Sequence, residues 1–318
     1  MMKKLTYATL LIAAIAALAG APAAGAATDV RLDLTPGELV RIDGVGAVVP
    51  PPGQFVYAES LGENGASEMT VVTKLDGTVL VDDHVGDAMS DDVGGELSPV
   101  TAPDACSDGA YNFNKFKRDS GATKKFRWNS TFNWRFNEDS TPSEITKSNA
   151  LTDIQQGTRN ITWVNTNCSG FGDNVSASAN YAGTTQQGSN IDQKTNCGSA
   201  DGTSATVFGT IDPTDKLGVA CVWGDWNEGG EWAIAHESDT KFDKDNHNWY
   251  TGPSCPAGVT NWSLEAVATH ERGHTFSLDH VGEAEHGNLT MSPKMEGKCK
   301  KPEATLGKGD ILGLEAAY

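Results

Sequence analysis

The chain has 318 residues, 42 of them acidic and 24 basic, with a formal net charge of −18. That balance argues against nucleic acid or an anionic membrane surface as a partner. It opens with two lysines, an apolar run and small residues ending in Ala24-x-Ala26, the pattern of a secretion signal cut after Ala26. The apolar core is short for crossing a bilayer and no second apolar run follows, so the mature protein is expected to be secreted, without a stable membrane anchor. Removing residues 1–26 takes away Lys3 and Lys4 and no acid, which leaves a charge of −20.

Cysteines Cys106, Cys168, Cys197, Cys221, Cys255 and Cys299 all follow the signal, and an even count in an exported chain predicts three disulfides. The pairing favoured here is Cys168 with Cys197, closing a Gly/Ser/Asn-rich loop, Cys255 with Cys299 around the histidine-bearing segment near residue 270, and Cys106 with Cys221.

Residues 27–105 read as β-rich, with alternation in "GQFVYAES" and a hairpin turn at Asp76-Gly77 in "EMTVVTKLDGTVLVDD". The stretch "SDDVGGELSPVTAPDAC" reads as a linker. Residues 106–318 are long enough for one domain with a sizeable core. In "KKFRWNSTFNWRFN", Phe132, Trp134 and Phe136 alternate with polar residues as in a half-buried strand. A helix is predicted next, capped at Ser140 or Thr141, with Pro142 in its first turn and its end near Thr158. Residues 166–216 are polar and read as loops and short strands. "LGVACVWGD" and "EWAIAHESDTKFD" read as two further strands.

The segment "NWSLEAVATHERGHTF" carries strong helix formers, with Asn261 or Ser263 as cap. In a helix, His270 and His274 lie one turn apart on one face, so both imidazoles reach a single ion. Glu271 stands beside that ion, in the His-Glu-x-x-His arrangement where Zn²⁺ takes the histidines and the glutamate handles a proton. A third ligand must come from beyond the helix, and His280, six residues on, suits a chain that turns back. Three protein ligands leave a fourth position for water, as in catalytic rather than structural zinc sites. His236, His247 and His286 lack such company and read as surface or structural residues.

Together, "HERGHTFSLDH", "NLTMSP" and "TLGKGDILGLEAAY" resemble the metzincin metalloproteases, closest to the matrixin branch and its bacterial secreted relatives. The resemblance covers roughly residues 120–318. It implies an α/β (α+β) catalytic domain with a twisted mixed sheet, an active-site helix and a C-terminal helix. It also implies His270, His274 and His280 as ligands of one catalytic zinc, Glu271 as general base, and Met291 as the methionine of a turn beneath the metal, with Met295 a weaker candidate. Two positions depart from the pattern: the family's glycine after the helix is Ser277, and Asp279 competes with His280 as third ligand. Asp239, Asp243, Asp245 and Asn246 offer hard oxygens for Ca²⁺ but lack the calcium-loop glycine and terminal glutamate, which favours a solvated acidic turn. Animal matrixins close their zinc with a propeptide cysteine; Cys106 lies at that boundary without the switch sequence, so a disulfide is favoured.

The expected activity is a zinc-dependent endopeptidase, acting as a monomer on proteins or peptides. Residues 27–105 would be a propeptide or an accessory region. The edge of "LGVACVWGD" is the candidate dock for an extended substrate, with Trp223 and Trp226 near it. The alternative function is a non-catalytic exported binding protein, for carbohydrate or protein, with a structural metal site.

Overall fold

The computed structural model describes residues 30–31, 33–42, 44–83, 104–117, 123–226 and 230–318. The proposed signal and most of the proposed linker lie outside the described residues. The N-terminal region contributes β1 (Val30–Arg31), β2 (Leu39–Ile42), β3 (Val45–Val48), β4 (Gln54–Gly62), β5 (Ser67–Thr73) and β6 (Val79–Asp83). Next come β7 (Asn112–Phe113), β8 (Lys115–Lys117), β9 (Thr123–Trp128) and β10 (Phe132–Phe136), which precede helix α1 (Lys147–Thr162). They are followed by β11 (Ala179–Thr184), β12 (Asn196–Cys197), β13 (Ser204–Gly209), β14 (Lys216–Asp225) and β15 (Trp232–Asp243). Short strands β16 (Trp249–Tyr250) and β17 (Trp262–Ser263) lead into α2 (Leu264–Thr275). The chain finishes with β18 (Leu278–Asp279), the one-turn α3 (Glu283–His286) and α4 (Lys308–Ala317).

One mixed sheet organises these elements, in the order β1-β6-β5-β4-β14-β15-β13-β10-β11, with β9 alongside β15. The strands β11, β10, β13 and β15 are mutually parallel, whereas β14 runs antiparallel to β15 and to β4. The architecture is therefore an α/β domain with a twisted mixed sheet, the packed helices α1 and α2 and a C-terminal helix, joined to a smaller β-rich N-terminal region. One apolar core lies on the helical side of the sheet. A second covers the other face, where Val56, Ala58, Met69 and Val71 of the N-terminal strands pack with Ile191, Val219, Cys221 and Trp223.

Three expectations require correction. The edge of "LGVACVWGD" is not open: β14 is paired on both sides, with β15 and with β4. Sequence periodicity identifies strands without saying which ones pair, and β4 supplies the partner from a distant part of the chain. The predicted helix starts later and ends later, because Thr146 provides the N-cap, its hydroxyl accepting from Asn149 N at 3.2 Å. Ser140 instead closes a short 3₁₀ turn and accepts from Phe208 N at 2.9 Å. The disulfides join Cys106 to Cys168 and Cys197 to Cys221, in place of Cys168–Cys197 and Cys106–Cys221; Cys255 joins Cys299. The Cys197–Cys221 bridge follows from topology, since β12 is brought to the sheet by pairing with β3, which places Cys197 over β14.

Helix α2 is buried along its length. It packs on α1 so closely that a Cβ on Gly157 would stand 2.8 Å from Ala268 Cβ and from Thr269 N. Arg272 anchors it to the sheet: its Nη1, Nη2 and Nε donate to the hydroxyls of Thr240 (2.8 Å), Thr206 (2.7 Å) and Thr158 (3.2 Å). The guanidinium also lies over the rings of Phe132 and Trp134. Burial pushes its pKa down to about 9.

Introducing a branched side chain at the α1–α2 contact tests this packing. Gly157→Val should destabilise the protein by about 1–3 kcal/mol, the usual cost of overpacking, read as a lower urea midpoint with unchanged slope.

Candidate metal centre

Ser263 caps α2, its hydroxyl accepting from Ala266 N at 3.2 Å. His270 and His274 project from one face of the helix, and β18 carries the chain back so that His280 faces them. The three Nε2 atoms lie 3.0 Å (His270 to His274), 3.1 Å (His270 to His280) and 3.1 Å (His274 to His280) apart. The opposite ring nitrogens face acceptors. His270 Nδ1 lies 2.8 Å from Thr290 O, His274 Nδ1 3.0 Å from Leu278 O, and His280 Nδ1 3.2 Å from a carboxylate oxygen of Glu68.

Those partners put the proton on Nδ1 and leave each Nε2 with a lone pair. Three lone pairs converging at this distance repel one another unless a cation lies between them. The spacing suits three donors placed about 2.0–2.1 Å from one zinc ion. All three rings are buried, and burial, reinforced by the neighbouring histidines, holds His270 down at about 3 and His274 well below the usual range. A neutral imidazole is the metal-binding form. Together the three histidines form a potential zinc-binding, metalloprotease-like site.

Glu271 follows His270 on α2, is fully buried and shares a hydrogen bond with Glu59. Room for its carboxylate comes from Gly218 on β14, where a Cβ would stand 2.3 Å from Glu271 Oε1. Glu59, from β4, is the fourth member of the cluster: one of its oxygens and the ring nitrogens of the three histidines all lie within 4.8 Å of one another. Burial raises the pKa of both carboxyls, and the charge of Glu271 raises that of Glu59 further.

Met291 packs beneath the helix, where Gly273 makes space; a Cβ there would stand 2.2 Å from Met291 Sδ. Met295 is also buried nearby. His280, rather than Asp279, brings a ring nitrogen to the other two histidines; Asp279 accepts from His280 N at 2.8 Å. Ser277 adopts the turn expected of a glycine, with φ +81°, and its buried hydroxyl finds no hydrogen-bond partner.

The expected solvated acidic turn needs correction, because Asp239 and Asp243 are buried and their carboxylates accept from backbone N–H groups. Asp239 accepts from Asn190 N (2.6 Å) and Ala205 N (2.7 Å), Asp243 from Asn246 N (2.7 Å) and His247 N (2.9 Å), and Asp245 bonds Thr210. Among the described residues, the groups of side chains that converge as metal ligands both include His280. His236 is exposed, His247 lies between Asp243 and Glu63, and His286 faces Asp108.

Sequence reasoning missed four residues that shape the site: Tyr57, Glu59, Glu68 and Asp310. Asp310, on α4, accepts from Thr290 N (3.0 Å), Gly307 N (2.9 Å) and Met291 N (3.3 Å), and so holds the segment whose carbonyl orients His270. Its position in the first turn of a helix is a visible capping signal; its reach to Thr290 is not.

With this geometry in place, the sequence profile of the Matrixin peptidase family matches residues 228–318, a little under the last third of the chain. The match points to a relationship with the metzincin and matrixin superfamily. No curated protein matches the chain in sequence.

Two variants probe the support around the histidines. Ser277→Gly should stabilise the fold by about 1 kcal/mol, since a non-glycine left-handed residue costs roughly 1–2 kcal/mol; a higher urea midpoint would be the sign. Asp310→Ala should weaken zinc binding by about 10–100-fold, measured by competition with a chelator of known affinity.

Proposed function

We propose that this protein is a secreted zinc-dependent endopeptidase, with a signal peptide at residues 1–26, a β-rich propeptide or accessory region at 27–105 and a catalytic domain at 106–318. The observation that carries this reading is the convergence of three Nε2 lone pairs on one point, with the Glu271 carboxyl hydrogen-bonded to Glu59, the acid that joins them. His270, His274 and His280 would hold the ion, and Met291 would form the turn beneath it. Zinc bound there supplies Lewis acidity, lowering the pKa of water and polarising a peptide carbonyl. Glu271 accepts the proton of the attacking water and returns it to the departing amine nitrogen. Gly218 keeps that carboxylate uncrowded.

Secretion is supported by the three disulfides, which belong to an oxidising compartment. No helix among the described residues is long and apolar enough to cross a membrane.

One observation favours the second reading, a non-catalytic binding protein. Glu59 adds a fourth donor to the three histidines, and four protein ligands are the mark of a structural zinc site.

Zinc content and casein hydrolysis, measured on wild type and Glu271→Gln before and after removal of the region preceding Cys106, separate the two readings. The peptidase reading expects one zinc in both proteins and a loss of about 10²–10⁴-fold in hydrolysis by the variant. Zinc without hydrolysis in either, even after that removal, would establish the binding protein.

A further inference from the structure

Strands β8 and β9 form a ribbon alongside the first residues of β15, and among the described strands β8 pairs with β9 alone. Five of the chain's 24 basic residues, Lys115, Lys117, Lys124, Lys125 and Arg127, lie in these two strands, which hold no acid. The chain as a whole carries a net charge of −18, so its cations are concentrated here against the general balance.

Register decides which of them share a face. Lys115 stands directly opposite Lys125, and Lys125 in turn lies beside Trp232 on β15. Arg127, two residues beyond Lys125, falls on the same face. Lys124 falls on the other, where it is buried over the Trp226 ring. Like charges directly opposite on paired strands are destabilising. Lysines on an edge strand deter pairing with another chain, which accounts for Lys115 and Lys117. It does not account for Lys125 and Arg127, one strand further in.

Aromatic rings hold these two cations in place. Lys125 Nζ lies 4.3 Å from the ring centre of Phe113 and 5.1 Å from that of Trp232, and the Arg127 guanidinium carbon lies 5.3 Å from that of Trp232. Attraction between a cation and a ring face fixes a head group that would otherwise swing freely. Close by, Tyr111 is 39% exposed and meets Phe113 edge-on, with ring centres 5.5 Å apart. Among the described residues, the one ion pair made by Lys115, Lys125 or Arg127 joins Lys125 to the exposed carboxylate of Glu231, at 3.2 Å. The array therefore already takes one carboxylate and has cationic capacity for more.

We infer that this face is a docking surface for an acidic polysaccharide, a glycan bearing uronic-acid carboxylates. Lys115, Lys125 and Arg127 take successive carboxylates, and the exposed ring of Tyr111 offers an apolar body to a sugar ring. A dense polyanion such as nucleic acid fits less well, because the acidic remainder of the protein repels it. That repulsion is screened beyond roughly 8–10 Å at ordinary ionic strength, so a glycan with spaced charges lying along the ribbon meets mainly the cations. The surface shares no residue with the histidine cluster, and its use does not depend on how that cluster is read.

Retention of the full-length protein on immobilised polygalacturonate, titrated with sodium chloride, tests this surface. Wild type should bind at low salt, with an affinity that falls as salt rises. Lys115→Ala combined with Arg127→Ala should weaken binding by about tenfold or more. Lys298→Ala combined with Lys300→Ala removes two exposed lysines elsewhere, makes the same change in net charge, and should leave binding within about twofold of wild type. Equal urea midpoints for the variants and wild type show that the fold is intact; should the alanine pair fail to fold, Lys115→Gln alone, on the edge strand, carries the comparison. No retention of wild type at any salt concentration, or equal weakening by both pairs, would overturn the docking surface. Competition by poly-L-glutamate as strong as that by galacturonate oligomers at equal carboxylate concentration would overturn the glycan in favour of an acidic polypeptide.

Discussion

Three imidazole nitrogens held within 3.1 Å of one another, each with its lone pair turned inward, form an arrangement that the protein has to enforce from outside. The enforcement comes from the opposite ring nitrogens. Their acceptors sit on three separate parts of the chain: Thr290 in the segment around Met291, Leu278 in the strand after α2, and Glu68 in β5. Each acceptor has its own support, as with the hold of Asp310 on Thr290 and Met291. The fold can thus be described by how it brings these three acceptors around one helix.

That helix is itself unusual in composition for a buried element. Its C-terminal half, Thr269-His-Glu-Arg-Gly-His-Thr275, is polar, yet every residue of it is buried. Most of the polar groups are answered: Arg272 by three threonine hydroxyls and two aromatic faces, Thr275 by Ser238. The exception is the pair Glu59 and Glu271, two buried acids that share a hydrogen bond with each other and meet no other donor. Other buried groups also lack a partner, Ser277 Oγ and both side-chain atoms of Asn114 among them, but Glu59 is the one that joins the histidine cluster. The physical logic is that of a site whose balance is completed by a cation.

Much of this was legible in the chain wherever the signal is local. Helical spacing puts His270 and His274 on one face, the interval to His280 allows the return, and the alternation of Phe132, Trp134 and Phe136 marks a strand that buries those three rings. Ser277 stands where a glycine would be easier, and the backbone takes the left-handed turn regardless. What could not be read was long-range register. Nothing in "GQFVYAES" announces that it pairs with a strand more than 150 residues later, so Glu59 looked like one acid among many. Cys255–Cys299 was legible, but the other two disulfides were not, for the same reason: closing a Gly/Ser/Asn-rich loop favoured Cys168–Cys197, while β12 pairing with β3 brought Cys197 to Cys221.

Because one sheet runs unbroken through both regions, parting them would leave β14 bare in two directions. Its face opposite the helices, with Val219, Cys221 and Trp223, is covered by the N-terminal strands, as is its hydrogen-bonding edge. Losing β1–β6 would expose both together. An uncovered strand edge beside an apolar face is a template for self-association. Such a protein would be most soluble with its N-terminal strands in place. The parted domain would stay monomeric only if another surface took over the vacated face, which makes the N-terminal strands a built-in guard against aggregation.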